Sequence, residues 1–135
     1  MVCTDNNRLV VEINQGCPRG FSFTINQKIY NYNTNEYDKQ PIDLTGLTIN
    51  IQIKKAPYYQ LPTLINKNIT EKEDVTQGQI VDPLNGKFTL QITKQESTFL
   101  NPGEYALMIY MIDQDTCTNL SSNKNDYAIY RVCYQ

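Results

Sequence analysis

Three stretches of the chain alternate strictly between apolar and polar residues. Leu47, Ile49, Ile51 and Ile53 are interleaved with Thr48, Asn50, Gln52 and Lys54. Phe88, Leu90 and Ile92 are interleaved with Thr89, Gln91 and Thr93, and Tyr105, Leu107, Ile109 and Met111 repeat the pattern further on. Successive side chains of a β-strand point to opposite faces, so a period of two means one buried and one wet face per strand. Strands of a buried parallel sheet read instead as unbroken apolar runs, so the alternation predicts antiparallel sheets packed as a sandwich.

Weaker signals fill in the rest. Arg8–Asn14 and Phe21–Ile25 read as two earlier strands around a Gly16–Gly20 turn. The Asn-rich stretch Ile29–Tyr37 fits a strand tip or a projecting hairpin, and Pro41–Gly46 turns into the strand at Leu47. Gln79–Val81 is a short strand, and Asn85-Gly86 closes the turn after it, with glycine supplying positive φ. Thr93 followed three residues later by Glu96 is a capping box for one helical turn, ended by Pro102-Gly103. Tyr127–Tyr134 is the last strand. Residues 56–77, with Pro57, Pro62 and the charged run Glu71-Lys72-Glu73-Asp74, show no period and read as a long insertion loop, mobile or functional. The chain is thus expected to be all-β: a single immunoglobulin-like β-sandwich domain over residues 1–135, with seven to eight antiparallel strands and one short helical turn.

Charge and composition exclude several partners. A formal charge of −2 and a pI near 5.0 provide no basic field for nucleic acid. No apolar run approaches the roughly 20 residues of a membrane span. Met1–Arg8 is polar and no apolar run of secretory-leader type follows, which leads to an expectation of synthesis in a host cytoplasm. With 19% charged residues and a mean hydropathy of −0.50, surface polarity falls to amides, hydroxyls and the ten tyrosines. Tyrosine favours strands, and it also supplies broad amphipathic contact area at low entropic cost. The candidate protein-contact residues are Tyr30, Tyr32, Tyr37, Tyr58, Tyr59, Leu61 and Leu64.

Candidate chemistry is sparse. The chain has no histidine, which removes the commonest general base, the Ser-His and Cys-His pairs and the commonest zinc ligand together. No acidic residue lies within an apolar run, as a glycosidase acid would need to. No enzyme activity, catalytic residue, metal or cofactor is expected. Asp113, Asp115 and Asp126 are either a calcium cluster or, more simply, a solvated loop. Cys3, Cys17, Cys117 and Cys133 lack CxxC spacing and are expected as reduced thiols, although Cys3 and Cys17 flank the first strand and Cys117 and Cys133 the last hairpin, where each pair would face across neighbouring strands. Tyr58-Tyr59 and Tyr30-x-Tyr32 are alternatively a sugar-stacking platform, a reading weakened by the absence of tryptophan.

The order DLTGLTINIQIKKA, GQIVDPLNGKFTLQIT and FLNPGEYALMIYMID, over roughly residues 43–113, resembles an immunoglobulin-like domain of phage virion proteins. That domain opens baseplate upper proteins and has relatives among tail and head-decoration proteins. The matching elements are Asp43–Gly46, Asn85-Gly86, Thr93 and Pro102-Gly103-Glu104-Tyr105, the last also similar to a tyrosine corner. The resemblance implies a structural virion protein whose partners are other capsid, fibre or baseplate subunits, with a homo-oligomer possible. Because baseplate upper proteins continue well beyond this domain and the chain stops at Gln135, the expectation is an auxiliary capsid (head-decoration) or fibre-anchoring subunit. The alternatives are a baseplate or tail subunit, or a carbohydrate-binding module.

Overall fold

A computed structural model describes the backbone of residues 2–5, 8–58, 60–115 and 127–134, with side chains from residue 9 onward. In chain order the strands are β1 (Val2–Asp5), β2 (Arg8–Asn14), β3 (Arg19–Thr24), β4 (Asn26–Asn31), β5 (Glu36–Pro41), β6 (Leu47–Lys54), β7 (Ile65–Ile69), β8 (Gly78–Asp82), β9 (Lys87–Ile92), β10 (Gly103–Asp113) and β11 (Ala128–Cys133). A 3-10 turn covers Pro83–Asn85, and one short helix, α1, spans Lys94–Phe99.

The alternating segments lie where their pattern requires. One sheet has six strands in the order β1-β2-β11-β10-β6-β7, a second has three in the order β3-β9-β8, and β4 pairs with β5 apart from both. Val11, Ile13, Ile49, Ile51, Ile53, Leu107, Tyr130 and Val132 from the first sheet share one buried cluster with Phe21, Phe23, Ile80, Phe88, Leu90 and Ile92 from the second. Phe23 and Phe88 are cross-strand partners whose rings stack 5.2 Å apart. Fully burying an aliphatic or aromatic side chain of this kind contributes about 1.5–3 kcal/mol, so this cluster is the main source of stability.

The all-β sandwich agrees with the sequence, while its strand inventory is richer. Among the described residues eleven strands stand where seven or eight were expected, and one pair there departs from the antiparallel rule: β2 and β11 run parallel, from Ile129 opposite Val10 to Cys133 opposite Asn14. The additional strands lack apolar alternation. β1 and β5 contribute no regular stripe, and β7 conceals its period because its central inward position is a lysine. Ile65, Lys67 and Ile69 are buried while Asn66 and Asn68 are exposed, so the 56–77 segment contains an edge strand and is not loop throughout.

The outer face of β6 is not uniformly wet either. Asn50 is buried there, its Nδ2 within 2.8–3.1 Å of Asn66 Oδ1, Asn68 Oδ1 and the Lys67 carbonyl, while Gln52 Nε2 donates to Asn50 Oδ1 at 2.8 Å. This amide ladder fastens the edge strand β7 and satisfies the buried polar groups.

The local devices read from sequence are present. Thr93 and Glu96 form the reciprocal capping box of α1. Tyr105 Oη donates to the Asn101 carbonyl at 2.7 Å, forming a tyrosine corner at the start of β10. Gly86 adopts φ 67° at the end of its turn.

Candidate protein-contact site

Residues 26–41 form a projecting hairpin, the second of the two readings open for that stretch. Its base is clamped by backbone bonds from Ile25 N to Gly86 O at 2.9 Å, Ile42 N to Ile25 O at 3.0 Å and Leu44 N to Pro83 O at 2.8 Å. Gly86 permits the clamp, since a Cβ there would overlap the Ile25 carbonyl oxygen and press on that of Ile42. Six cross-strand pairs run from Asn26 opposite Pro41 to Asn31 opposite Glu36. At about 3.3 Å per residue the arm is roughly 20 Å long. Every residue of β4 and β5 except half-buried Asn31 is exposed.

The tip is held by asparagine chemistry. Asn33 N donates to Asn31 Oδ1 at 2.9 Å, and Asn35 takes the left-handed conformation at φ 55°, which asparagine tolerates better than most residues. Tyr30 Oη donates to Asn35 Oδ1 at 3.2 Å. Around this tip the Tyr30 ring meets Tyr32 at 4.9 Å and Tyr37 at 5.2 Å, both edge-to-face. Tyr32 is 85% and Tyr37 67% exposed, so the cluster orders three rings without hiding them. Edge-to-face pairs of this kind contribute about 0.5–1.5 kcal/mol each. A lone two-stranded hairpin is marginal in water, and here the clamp and the rings hold it.

The remaining candidates lie elsewhere. Tyr58 is 64% exposed in the β6–β7 loop, where its carbonyl accepts Leu61 N at 3.2 Å. Leu61 is half-buried, and Tyr59 lies outside the described residues. Among the described residues no ring contact joins Tyr58 to the hairpin cluster. Leu64 packs against the core and also lines an open cleft of about 290 Å³ with Ile65, Asn66, Gln95, Glu96 and Phe99. Exposed Phe99 was missed in the sequence; its signal was an apolar residue outward on an otherwise polar helical turn.

Behind the cleft is a second feature that alternation could not reveal. Lys67 is fully buried, and its Nζ donates to Glu96 Oε1 and to the Thr76 carbonyl, each at 2.5 Å. Glu96 Oε1 also accepts Thr93 N at 2.9 Å, so one carboxylate serves both the helix cap and the buried cation. The Tyr130 hydroxyl is buried nearby without a hydrogen-bond partner among the described residues. Burial first, then the charges of Glu96 and Tyr105, raise its pKa well above the ordinary phenol value.

Other charges are set at the surface. Arg131 bridges Glu12 at 2.8 Å and Glu104 at 2.7 Å, and hydrogen bonds to the two carboxylates hold it firmly protonated. The Asp43 and Asp74 carboxyls lie below their ordinary range because Thr45 and Thr76 donate to them from hydroxyl and backbone. Among the described residues no group of three or more Cys, Asp or Glu is placed to hold a metal ion, and Asp126 lies outside them. Cys17 and Cys133 are free, half-buried thiols, and the Cys3 and Cys117 side chains are not described. No helix is long and apolar enough to cross a membrane among the described residues.

Residues 22–124 match the model of the BppU N-terminal domain, a stretch that contains both the hairpin and the cleft. The chain belongs to this family of phage baseplate upper protein N-terminal domains. It is therefore a baseplate-related structural domain and a virion component whose partners are other virion proteins. A search of curated proteins returned no match.

Proposed function

We propose that the protein is a structural subunit of a phage baseplate or tail, joined to its neighbours through the tyrosine-headed hairpin and performing no catalysis. The observation that carries this reading is the arm itself: about 20 Å long by strand rise, clamped at Gly86, and ending in three ordered but exposed rings. Rings already held in place lose little further freedom on docking, so more of their contact energy survives as affinity. Family membership supports the baseplate location over the head-decoration role that chain length suggested. The immunoglobulin-like kinship is supported by topology. Neighbours β6-β10-β11 and β3-β9-β8 reproduce the C-F-G and B-E-D groupings of that sandwich, with the tyrosine corner in its usual place.

Synthesis in the host cytoplasm and partners other than nucleic acid or membrane complete the proposal, and the acidic pI supports the part that concerns nucleic acid. Many copies on one particle would gain by effective concentration, so each contact need only be modest. The test is incorporation of a Tyr30→Ser/Tyr32→Ser/Tyr37→Ser variant into particles. It should keep the sandwich fold by circular dichroism, with only the hairpin loosened by loss of the ring pairs, while its incorporation collapses. Normal incorporation would refute the hairpin as the contact, and tyrosine-dependent retention on a host polysaccharide column would favour the sugar-binding module instead.

A further inference from the structure

The two faces of the hairpin carry opposite charge. Directly opposed residues share a face, and faces alternate along each strand. One face therefore holds Lys28 opposite Lys39 and Tyr30 opposite Tyr37. The other holds Ile29 opposite Asp38 and Asn31 opposite Glu36. Two sets of contacts confirm the assignment: the Tyr30–Tyr37 ring pair on the first face, and the 3.0 Å bond from Asn31 Nδ2 to Asp38 Oδ2 on the second. Like charges directly opposed across strands are unfavourable, yet Lys28 faces Lys39 with no ion-pair partner for either among the described residues. Glu36 and Asp38 are equally without a cation among the described residues.

We propose that the partner of the hairpin is a second copy of this chain, the lysine–tyrosine face of one arm seating on the Glu36–Asp38 face of the next. This deepens the reading of the hairpin as the contact surface. Charge complementarity argues for it, because each face supplies what the other lacks. Lys28 and Lys39 would gain carboxylates in place of mutual repulsion, and the tyrosine rings would cover Ile29, which is 41% exposed. The contact joins unlike faces, so it is heterologous: it leaves one free face of each kind and propagates until a ring closes. A face-to-face pairing of identical patches would instead stop at a dimer and would set lysine against lysine.

The experiment is sedimentation velocity of the full chain at low salt, up to about millimolar, the effective concentration that tethering supplies. Wild type should form oligomers that dissociate as salt is raised, since exposed pairs are screened beyond about 8 Å at physiological ionic strength. Lys28→Glu/Lys39→Glu and Glu36→Lys/Asp38→Lys should each weaken association about tenfold or more. An equimolar mixture of the two variants should recover it, because each then presents the face the other requires. A monomeric wild type, or a mixture that fails to recover, overturns self-association. If both reversals nevertheless abolish entry into particles, the hairpin meets a different subunit and only this inference falls. If they enter normally, the contact role falls with it.

Discussion

Glu96 is the residue whose removal should be felt most widely for its size. Glu96→Ala takes the carboxylate from a Lys67 side chain with no solvent exposure, and it strips Thr93 N of its acceptor at the helix start. Breaking a buried ion pair from one side typically costs about 3–5 kcal/mol, because the surviving charge stays buried alone. Glu96 itself is 27% exposed at the cleft, so water recovers part of the loss, and the low end, about 3 kcal/mol, is expected. For a chain of this size that corresponds to a melting-temperature drop of roughly 10 °C. Lys67→Met should be far milder, about 1 kcal/mol or less, since the thioether fills the volume of the stem and the remaining carboxylate faces water. The double variant Lys67→Met/Glu96→Ala should cost less than Glu96→Ala alone, because it leaves no buried charge unpaired. Urea unfolding of all three, with unchanged slope, measures the cycle. A Glu96→Ala cost under about 1 kcal/mol, or equal costs for the two single changes, would refute the account of Lys67 as a stranded buried charge.

Four further outcomes are expected. Tyr130→Phe removes a hydroxyl buried without a partner and should leave stability unchanged or raise it, by up to about 2 kcal/mol in chemical denaturation; a loss would mean the hydroxyl is bonded. Tyr105→Phe deletes the bond to Asn101 and should cost about 1 kcal/mol. Gly86→Ala forces a side chain into positive φ and against the Ile25 carbonyl, so it should cost more than about 1–2 kcal/mol and disturb the amide resonances of residues 25–42 in NMR. The Asp43 and Asp74 carboxyls titrate lower in the folded chain than in the unfolded one, so their contribution is present above about pH 4 and is lost as pH falls through the folded values. Asp43→Asn/Asp74→Asn should therefore flatten the acid limb of a stability–pH curve.

Where side-chain period and local chemistry coincide, the chain can be read without coordinates. β6, β9 and β10 show apolar alternation, the Thr93–Glu96 spacing shows the cap, and Gly103-Glu104-Tyr105 shows the corner. Other features are properties of partners distant in sequence. Nothing in Arg8–Asn14 or Ala128–Cys133 announces that they lie parallel and adjacent. Lys67 reads as a surface residue because its neutralising acid is 29 positions away on another element. Asn50 reads as wet because the amides that enclose it belong to β7. At the candidate site, the composition of Ile29–Tyr37 suggested contact residues, and pairing register was needed to sort them into faces. Tyr58, Leu61 and Leu64 stood close together in the sequence, yet Leu64 turns to the core and the cleft while Tyr58 stays in solvent.

The parallel pairing of β2 with β11 has a mechanical consequence. The segment entering β2 and the segment leaving β11 lie at opposite ends of a shared ladder, from Val10–Ile129 to Asn14–Cys133, continued by Gln15 N on Cys133 O at 2.9 Å. Tension between those two points pulls along the strands, so the ladder is loaded in shear and its bonds must give way together. The antiparallel β1–β2 pair, tugged from Val2, would open one bond at a time and act as slack. A subunit anchored at both points would stretch a little and then hold.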